Sequence, residues 1–234
     1  MKLKLIYCKV LERESRLCAS RSPNEIEFIP VEQGLHNTPD KLRDELAKLL
    51  ESVENTDAVL LGYGLCGNGT LGLSCRVPLV IPRAHDCVTF LLGSRQRHEE
   101  YSQKFPGSYI FTPGWIEESR MPCKDRDQRL LEEYTEKYGD DNARYLMEVE
   151  QAWRSQYHRA VYIDWDLPGK EQFIQYTKDC AEYLGWQFDI IEGDSSLLQR
   201  FLDGNWDPDE FLVLPPGQKI AEDMIGGCKL ETQP

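Results

Sequence analysis

The sequence predicts an α/β fold made of two flavodoxin- or Rossmann-like parallel-sheet halves joined by a helical connector. Three observations predict it. Short apolar or β-branched runs of strand length recur along the chain, amphipathic stretches separate them, and one long polar helical stretch interrupts the series before it resumes. Such alternation marks βαβ units, because parallel strands need a crossover between them.

The first strand is LKLIY (3–7), and a helical stretch over about 10–19 follows it. The second strand is IEFIPV (26–31). In HNTPDKLRDELAKLLESV, Thr38 is placed to cap a helix, Pro39 takes its first position, and Leu42, Leu46, Leu49 and Leu50 recur on one face; together they predict a helix with a defined start. AVLLG (58–62), PLVIP (78–82) and SYIFT (108–112) are the next strands. Pro113-Gly114 reads as a turn that leaves Trp115 exposed to line a pocket.

Residues 124–157 turn polar and helical. A second series then supplies the strands AVYID (160–164), QFDII (187–191) and FLVLP (211–215). Between the first two, Phe173, Tyr176, Cys180 and Leu184 form one helical stripe. Asp194-Ser195 is placed to cap a helix over 196–202. The expected organisation is an N-terminal α/β domain over 1–123, a connector over 124–158 and a C-terminal half over 159–234.

A formal net charge of −13, spread along the chain, repels phosphate backbones and anionic lipids. Neither nucleic acid nor membrane is therefore an expected partner. The apolar run in MKLKLIYCKV is too short for a signal peptide, and no run approaches the ~18 residues of a membrane span. A cytoplasmic location is expected, where the eight cysteines serve as thiols or metal ligands rather than in disulfides. No Walker loop, Gly-x-Ser-x-Gly elbow or His-Glu-x-x-His motif supports a kinase or hydrolase reading.

GYGLCGNG (62–69) carries the glycine spacing of a dinucleotide loop at Gly62, Gly64 and Gly67. On that reading the loop binds a nucleotide or S-adenosylmethionine. Such loops work because a long helix starts directly after them and its N-terminus holds the phosphates. Here Gly69, Gly72 and Pro78 crowd the short stretch before the next strand and leave no room for one.

The placement of the cysteines gives the favoured reading. Cys8 follows the first strand, His36 the second, Cys66 the third, and His85 with Cys87 the fourth. Loops at the carboxyl ends of parallel strands share one rim, where ligands bind. Thiolate with imidazole suits zinc, and three thiolates with an open position suit an iron–sulfur cluster. Asp86 and Asp164 are the candidate acid–base groups for a small-molecule substrate. The competing reading is structural: strand-end cysteines pack as small apolar groups, His36 caps the following helix, and His85 orients Asp86. His98 and His158 lie in polar helical stretches and are expected to be solvated.

GLHNTPDKLRDEL, DAVLLGYGLCGNGTLGL, PLVIPRAHDCVTFLLGS, GSYIFTPGWIEE and the late VLPPG resemble a prokaryotic domain-of-unknown-function family, the 1638 family, over most of the chain. The resemblance implies an association with corrinoid-dependent methyltransferase systems of anaerobes. It implies a role near one-carbon or methyl-transfer metabolism; joined to the cysteine placement, the expectation is a metal-dependent enzyme of that metabolism, or an accessory or carrier protein for a corrinoid protein or methyltransferase. It carries no catalytic residues with it.

Overall fold

The structure is a computed structural model and describes residues 1–66 and 68–224. In chain order its elements are β1 (Lys2–Cys8), α1 (Glu12–Ala19), β2 (Glu25–Val31), α2 (Pro39–Glu51), β3 (Ala58–Gly62) and β4 (Leu79–Pro82). Next come α3 (Val88–Leu92), α4 (Arg95–Lys104), β5 (Ser108–Phe111), α5 (Pro113–Glu118), α6 (Lys124–Tyr138) and α7 (Asp140–Gln151). The last are β6 (Arg159–Asp164), α8 (Lys170–Leu184), β7 (Gln187–Glu192), α9 (Ser196–Asp203) and β8 (Phe211–Leu214). The α/β class read from the sequence is the class observed. The described residues form two compact units, Met1–Glu99 with residues 193–224, and Glu100–Glu192.

The first unit holds a five-stranded sheet in the order β2-β1-β3-β4-β8. The first four strands pair in parallel, and β8 closes the sheet antiparallel to β4. β3 and β4 are buried along their whole length. This is why their sequences run apolar without alternation: a parallel strand covered on both faces has no solvent side. From β1 the chain moves to one side for β2 and then crosses to the other for β3. The strand order thus reverses between β1 and β3, the switch point at which open α/β sheets bind ligands.

The helices fit the same logic. α2 buries Leu42, Leu46 and Leu50, the stripe expected from its spacing. It starts at Pro39 as expected, although the Thr38 side chain makes no cap bond. Thr38 still holds the cap position ahead of Pro39, its carbonyl accepting the Leu42 N–H at 3.1 Å. α9 buries Leu197, Leu198, Phe201 and Leu202. Phe201 lies 5.2 Å from the Phe90 ring and stacks on Phe211 at 5.5 Å. On α1, burial pushes the Cys18 thiol up to about 12, so it stays protonated and packs as a small apolar group.

The chain leaves and re-enters this unit at one place. The Asp194 N–H donates to Leu91 O at 3.0 Å. Its carboxylate accepts from the Ser196 N–H at 2.8 Å, capping α9, and lies 3.8 Å from Arg97. Gly93, at φ +80°, sits so tightly here that a Cβ would fall 2.4 Å from Asp194 Cγ. Only glycine meets both demands.

The second unit is a three-stranded parallel sheet, β5-β6-β7. β5 precedes residue 123 yet pairs with β6, and β8 follows residue 159 yet pairs with β4. The strands are therefore shared out differently from a division at 123 and 158. Local pattern identifies a strand, but pairing depends on what its side chains meet. Tyr109 of β5 lies 5.5 Å from Trp153 and 5.8 Å from Trp186. Pro113 and Gly114 open α5 rather than a turn, with Thr112 Oγ1 accepting from the Trp115 N–H at 3.2 Å. Trp115 packs against the core of Phe111, Tyr162 and Phe173 instead of standing exposed.

Asp127 ties α6 to the 3-10 turn after α7 and to α8. Its carboxylate receives both guanidinium nitrogens of Arg154 at 2.7 and 2.6 Å and the Tyr183 hydroxyl at 2.9 Å. Cys123 caps α6, its Sγ accepting from the Arg126 N–H at 3.4 Å. Contact with Cys180, then the Tyr176 hydroxyl and this N–H, hold the Cys123 thiol well below the ordinary thiol range, against the opposing effect of burial. A group depressed in the folded state adds stability above its unfolded value and loses it as pH falls through the folded one. Acidification from neutrality is thus expected to remove a thiolate ultraviolet signal that Cys123→Ser lacks, together with part of the second unit's stability.

Candidate functional site at the β1/β3 switch point

The β1–β3 ladder ends with Tyr7 opposite Gly62, and the next residues of the two strands are Cys8 and Tyr63. The loops leaving β3 and β4 are laced together by their backbones. The Leu65 N–H donates to Ala84 O, and the Cys66 N–H donates to His85 O, both at 3.0 Å. Gly64 makes this possible. A Cβ there would lie 2.6 Å from Asp86 N and 2.7 Å from both C and O of His85, so any side chain would force the loops apart. Gly62 ends β3 against Tyr7, and Gly67 lies outside the described residues. Among the described residues no helix stands between β3 and β4. The loop therefore lacks the helix N-terminus on which a pyrophosphate would rest.

Cys66 sits in the left-handed region, φ 45°, followed by Asn68 at φ 70°. A non-glycine residue is held there only when its surroundings impose it. The Gly69 N–H closes the turn onto Cys66 O at 3.2 Å. Arg43 of α2 donates to Asn68 O at 2.9 Å while pairing with Asp40 at 3.0 Å. The buried Thr70 hydroxyl donates to Gly64 O at 3.2 Å.

The structure brings Cys8, Cys66 and Cys87 into one electrostatic neighbourhood. All three are thiols, with Cys8 and Cys87 buried and Cys66 half-buried. Burial pushes Cys66 up, and the charges of Asp86 and Cys8 add to it. Burial likewise pushes Cys87 well up, followed by Cys8, Asp86 and Cys66. At neutral pH Cys66 and Cys87 therefore keep their protons, since burial and neighbouring negative charge both oppose a thiolate there.

Asp86 lies between two imidazoles. His85 Nδ1 is 3.4 Å from Oδ2 and His98 Nδ1 is 3.8 Å from Oδ1, while the Val88 N–H donates to Oδ1 at 2.9 Å. Burial raises the Asp86 carboxyl, but His85, His98 and the Val88 N–H outweigh it and hold it below the ordinary value. The hydrogen bond to Asp86 in turn raises His85, against burial. His98 is thus part of the site rather than a solvated surface group, and it also meets Thr89 Oγ1 at 3.1 Å.

Two predicted residues have other work. His36 meets the Gln33 amide at 3.4 Å within its own 3-10 turn, and burial lowers it. Asp164 belongs to the second unit, where Lys170 pairs with it at 2.8 Å and the Asp166 N–H donates to it at 2.8 Å. Tyr63 escaped the sequence reading. Its ring is 1% exposed, and its hydroxyl has no hydrogen-bond partner among the described residues. An aromatic residue after an apolar strand reads as core, and here only the hydroxyl distinguishes it.

Among the described residues no three His, Cys, Asp or Glu side chains converge as the shell of a single metal ion. At a Zn–S bond of ~2.3 Å, three thiolates must come within about 4 Å of one another. Among these residues no helix is long and apolar enough to cross a membrane.

Comparison with known proteins gives a family and nothing narrower. No curated protein and no solved structure matches the chain. The model of a family described as protein of unknown function (DUF1638) matches residues 31–202, a span that contains Tyr63, Cys66, His85, Asp86, Cys87 and His98 and leaves Cys8 upstream. The chain belongs to the DUF1638 family.

Proposed function

We propose that this chain is an iron–sulfur protein whose cluster is held by the thiolates of Cys8, Cys66 and Cys87, and that it acts as a metal-dependent enzyme on a small molecule. Topology supports the reading: Cys8 ends β1, and Cys66 and Cys87 lie in the loops that leave β3 and β4, the next two parallel strands, which the Cys66 N–H to His85 O bond ties together. The donor set fits the group. Thiolates are the ligands of iron–sulfur clusters, and a cluster spreads them wider than one ion does. The glycine at position 64 lets the backbone come close, as a site with N–H groups near sulfur requires.

With three protein ligands, a cluster keeps one iron open as a Lewis acid for a carbonyl or hydroxyl oxygen. The chain's own residues supply the proton handling. His85, raised by its hydrogen bond to Asp86 against burial, holds a proton more firmly than a free imidazole and is the group that would exchange one with substrate. Asp86 orients that ring and balances its charge. The family resemblance further supports a corrinoid protein or methyltransferase as the partner, testable by co-migration of the purified proteins.

Protein purified without oxygen, or reconstituted with iron and sulfide, is expected to be brown and to contain iron and sulfide in cluster stoichiometry. Each of Cys8→Ser, Cys66→Ser and Cys87→Ser should lower bound iron at least several-fold, whereas Cys18→Ser should leave it unchanged. Loading must displace protons from raised thiols, so apparent affinity should fall as pH falls. Colourless protein without iron after reconstitution overturns the reading.

A further inference from the structure

At the carboxyl end of β4 the first unit holds an open cavity of about 220 Å³, lined by no cysteine. That volume takes about seven waters at their share of the liquid, or one molecule of a few carbon atoms. Pro82, Ala84, Leu197 and Thr89 are its buried lining. The Thr89 side chain is the polar one among them. Its Oγ1 lies 3.1 Å from His98 Nδ1, and the same ring nitrogen lies 3.8 Å from Asp86 Oδ1. A nitrogen facing an ionised carboxylate carries its proton, so toward Thr89 it donates. The threonine oxygen is then an acceptor, and its own proton is left for a ligand. Ser94, also in the lining, repeats the arrangement, with Oγ accepting the Arg97 N–H at 3.1 Å. Two hydroxyl donors in one small cavity select a group with two acceptors, and a carboxylate is such a group.

The charged rim does not suit a plain anion. Arg83 is spent on the wall, donating to Pro208 O at 2.7 Å and to Met224 O. Glu210 receives two nitrogens of Arg200 at 3.0 and 2.5 Å, and Arg95 faces Glu99 at 3.6 Å. Asp209 adds an exposed carboxylate to the same lining, which repels an anion and attracts a cationic group.

We propose that this cavity binds a small amino acid, its carboxylate on the Thr89 and Ser94 hydroxyls and its ammonium group on Asp209. The proposal does not rest on the cluster reading. A zwitterion is neutral as a whole, so the chain's net charge of −13 does not repel it as it would a simple carboxylate. Thr89 and Asp86 share one nitrogen of His98, so no proton passes between them through the ring. His98 is thus a positioning residue that fixes which way the threonine hydroxyl points.

The test titrates glycine, L-alanine and L-serine into the full chain by calorimetry, with acetate and ethylamine as half-molecules that carry one charge each. At least one amino acid should bind at millimolar concentration or below, and both half-molecules should bind more weakly, since each keeps only part of the contacts. Thr89→Val keeps the outline of the side chain and should weaken binding about tenfold, the scale of a hydrogen bond to a charged group. Asp209→Asn, at an exposed position, should weaken it by about a few-fold, as for an exposed ion pair. Should Thr89→Val fail to fold, Ser94→Ala takes its place with the same expected loss. Acetate binding as tightly as the amino acids overturns the ligand class. Amino acid affinity unchanged in the folded variants overturns the site. No heat and no rise in melting temperature with any of the three amino acids overturns the proposal outright, and leaves the cluster reading as it stands.

Discussion

Replacing Gly64 with alanine is expected to destabilise the first unit by about 3 kcal/mol, the upper range for forcing atoms into a packed site. The new Cβ would meet backbone at 2.6–2.7 Å, on Asp86 N and His85 C and O. Backbone laced by two hydrogen bonds cannot swing aside as a side chain would. To make room, the Leu65–Ala84 and Cys66–His85 bonds must lengthen. The stability loss should therefore come with loss of iron loading, because the same movement carries Cys66 away from Cys87. Denaturant unfolding and iron analysis of one preparation check both. A variant as stable as wild type would show that the two loops are not in contact.

Asp127→Ala is expected to cost about 3–5 kcal/mol in the second unit, the cost of removing one partner from a buried ion pair. The carboxylate is 6% exposed and faces Arg154, with Arg126 at 3.5 Å. Its removal leaves the Arg154 guanidinium buried without its counter-charge, and the Tyr183 hydroxyl without an acceptor. Asp127→Asn keeps the shape and should cost less. Burial raises this carboxyl, but Arg154 and the Tyr183 hydroxyl overcome it and hold the group below its ordinary value. Its stabilisation is thus present above the unfolded carboxylate value and lost as pH falls through the lower folded one. Asp127→Ala should lose less stability than wild type between neutrality and strong acid, measured by denaturant midpoints.

The strands were readable in the sequence because AVLLG and PLVIP announce burial on both faces. Which strand pairs with which was not readable, since the partners of β5 and β8 depend on distant side chains. α3 (VTFLL) was missed because a short helix buried on every side has no polar phase to reveal its period. α4 (RQRHEEYSQK) was missed for the opposite reason, since it buries no residue and carries no apolar stripe. Cys8, Cys66 and Cys87 could be grouped because parallel topology alone gathers strand-end loops. His98 could not be grouped, because its place beside Asp86 depends on how α4 folds back on the loop after β4. Thr38 shows what a capping signal does locate: the helix starts where Thr38 and Pro39 place it, although the threonine hydroxyl makes no cap bond.

The bond between Leu91 and Asp194, with Arg97 beside it, has an architectural corollary. Departure and return share a threshold, so the intervening segment from Glu100 to Glu192 is a closed excursion from a sheet that is complete without it. Insertions survive best where their ends already touch, since the host then spends little entropy in bridging them. The first unit is accordingly expected to fold while the graft is exchanged, shortened or replaced by a short bridge.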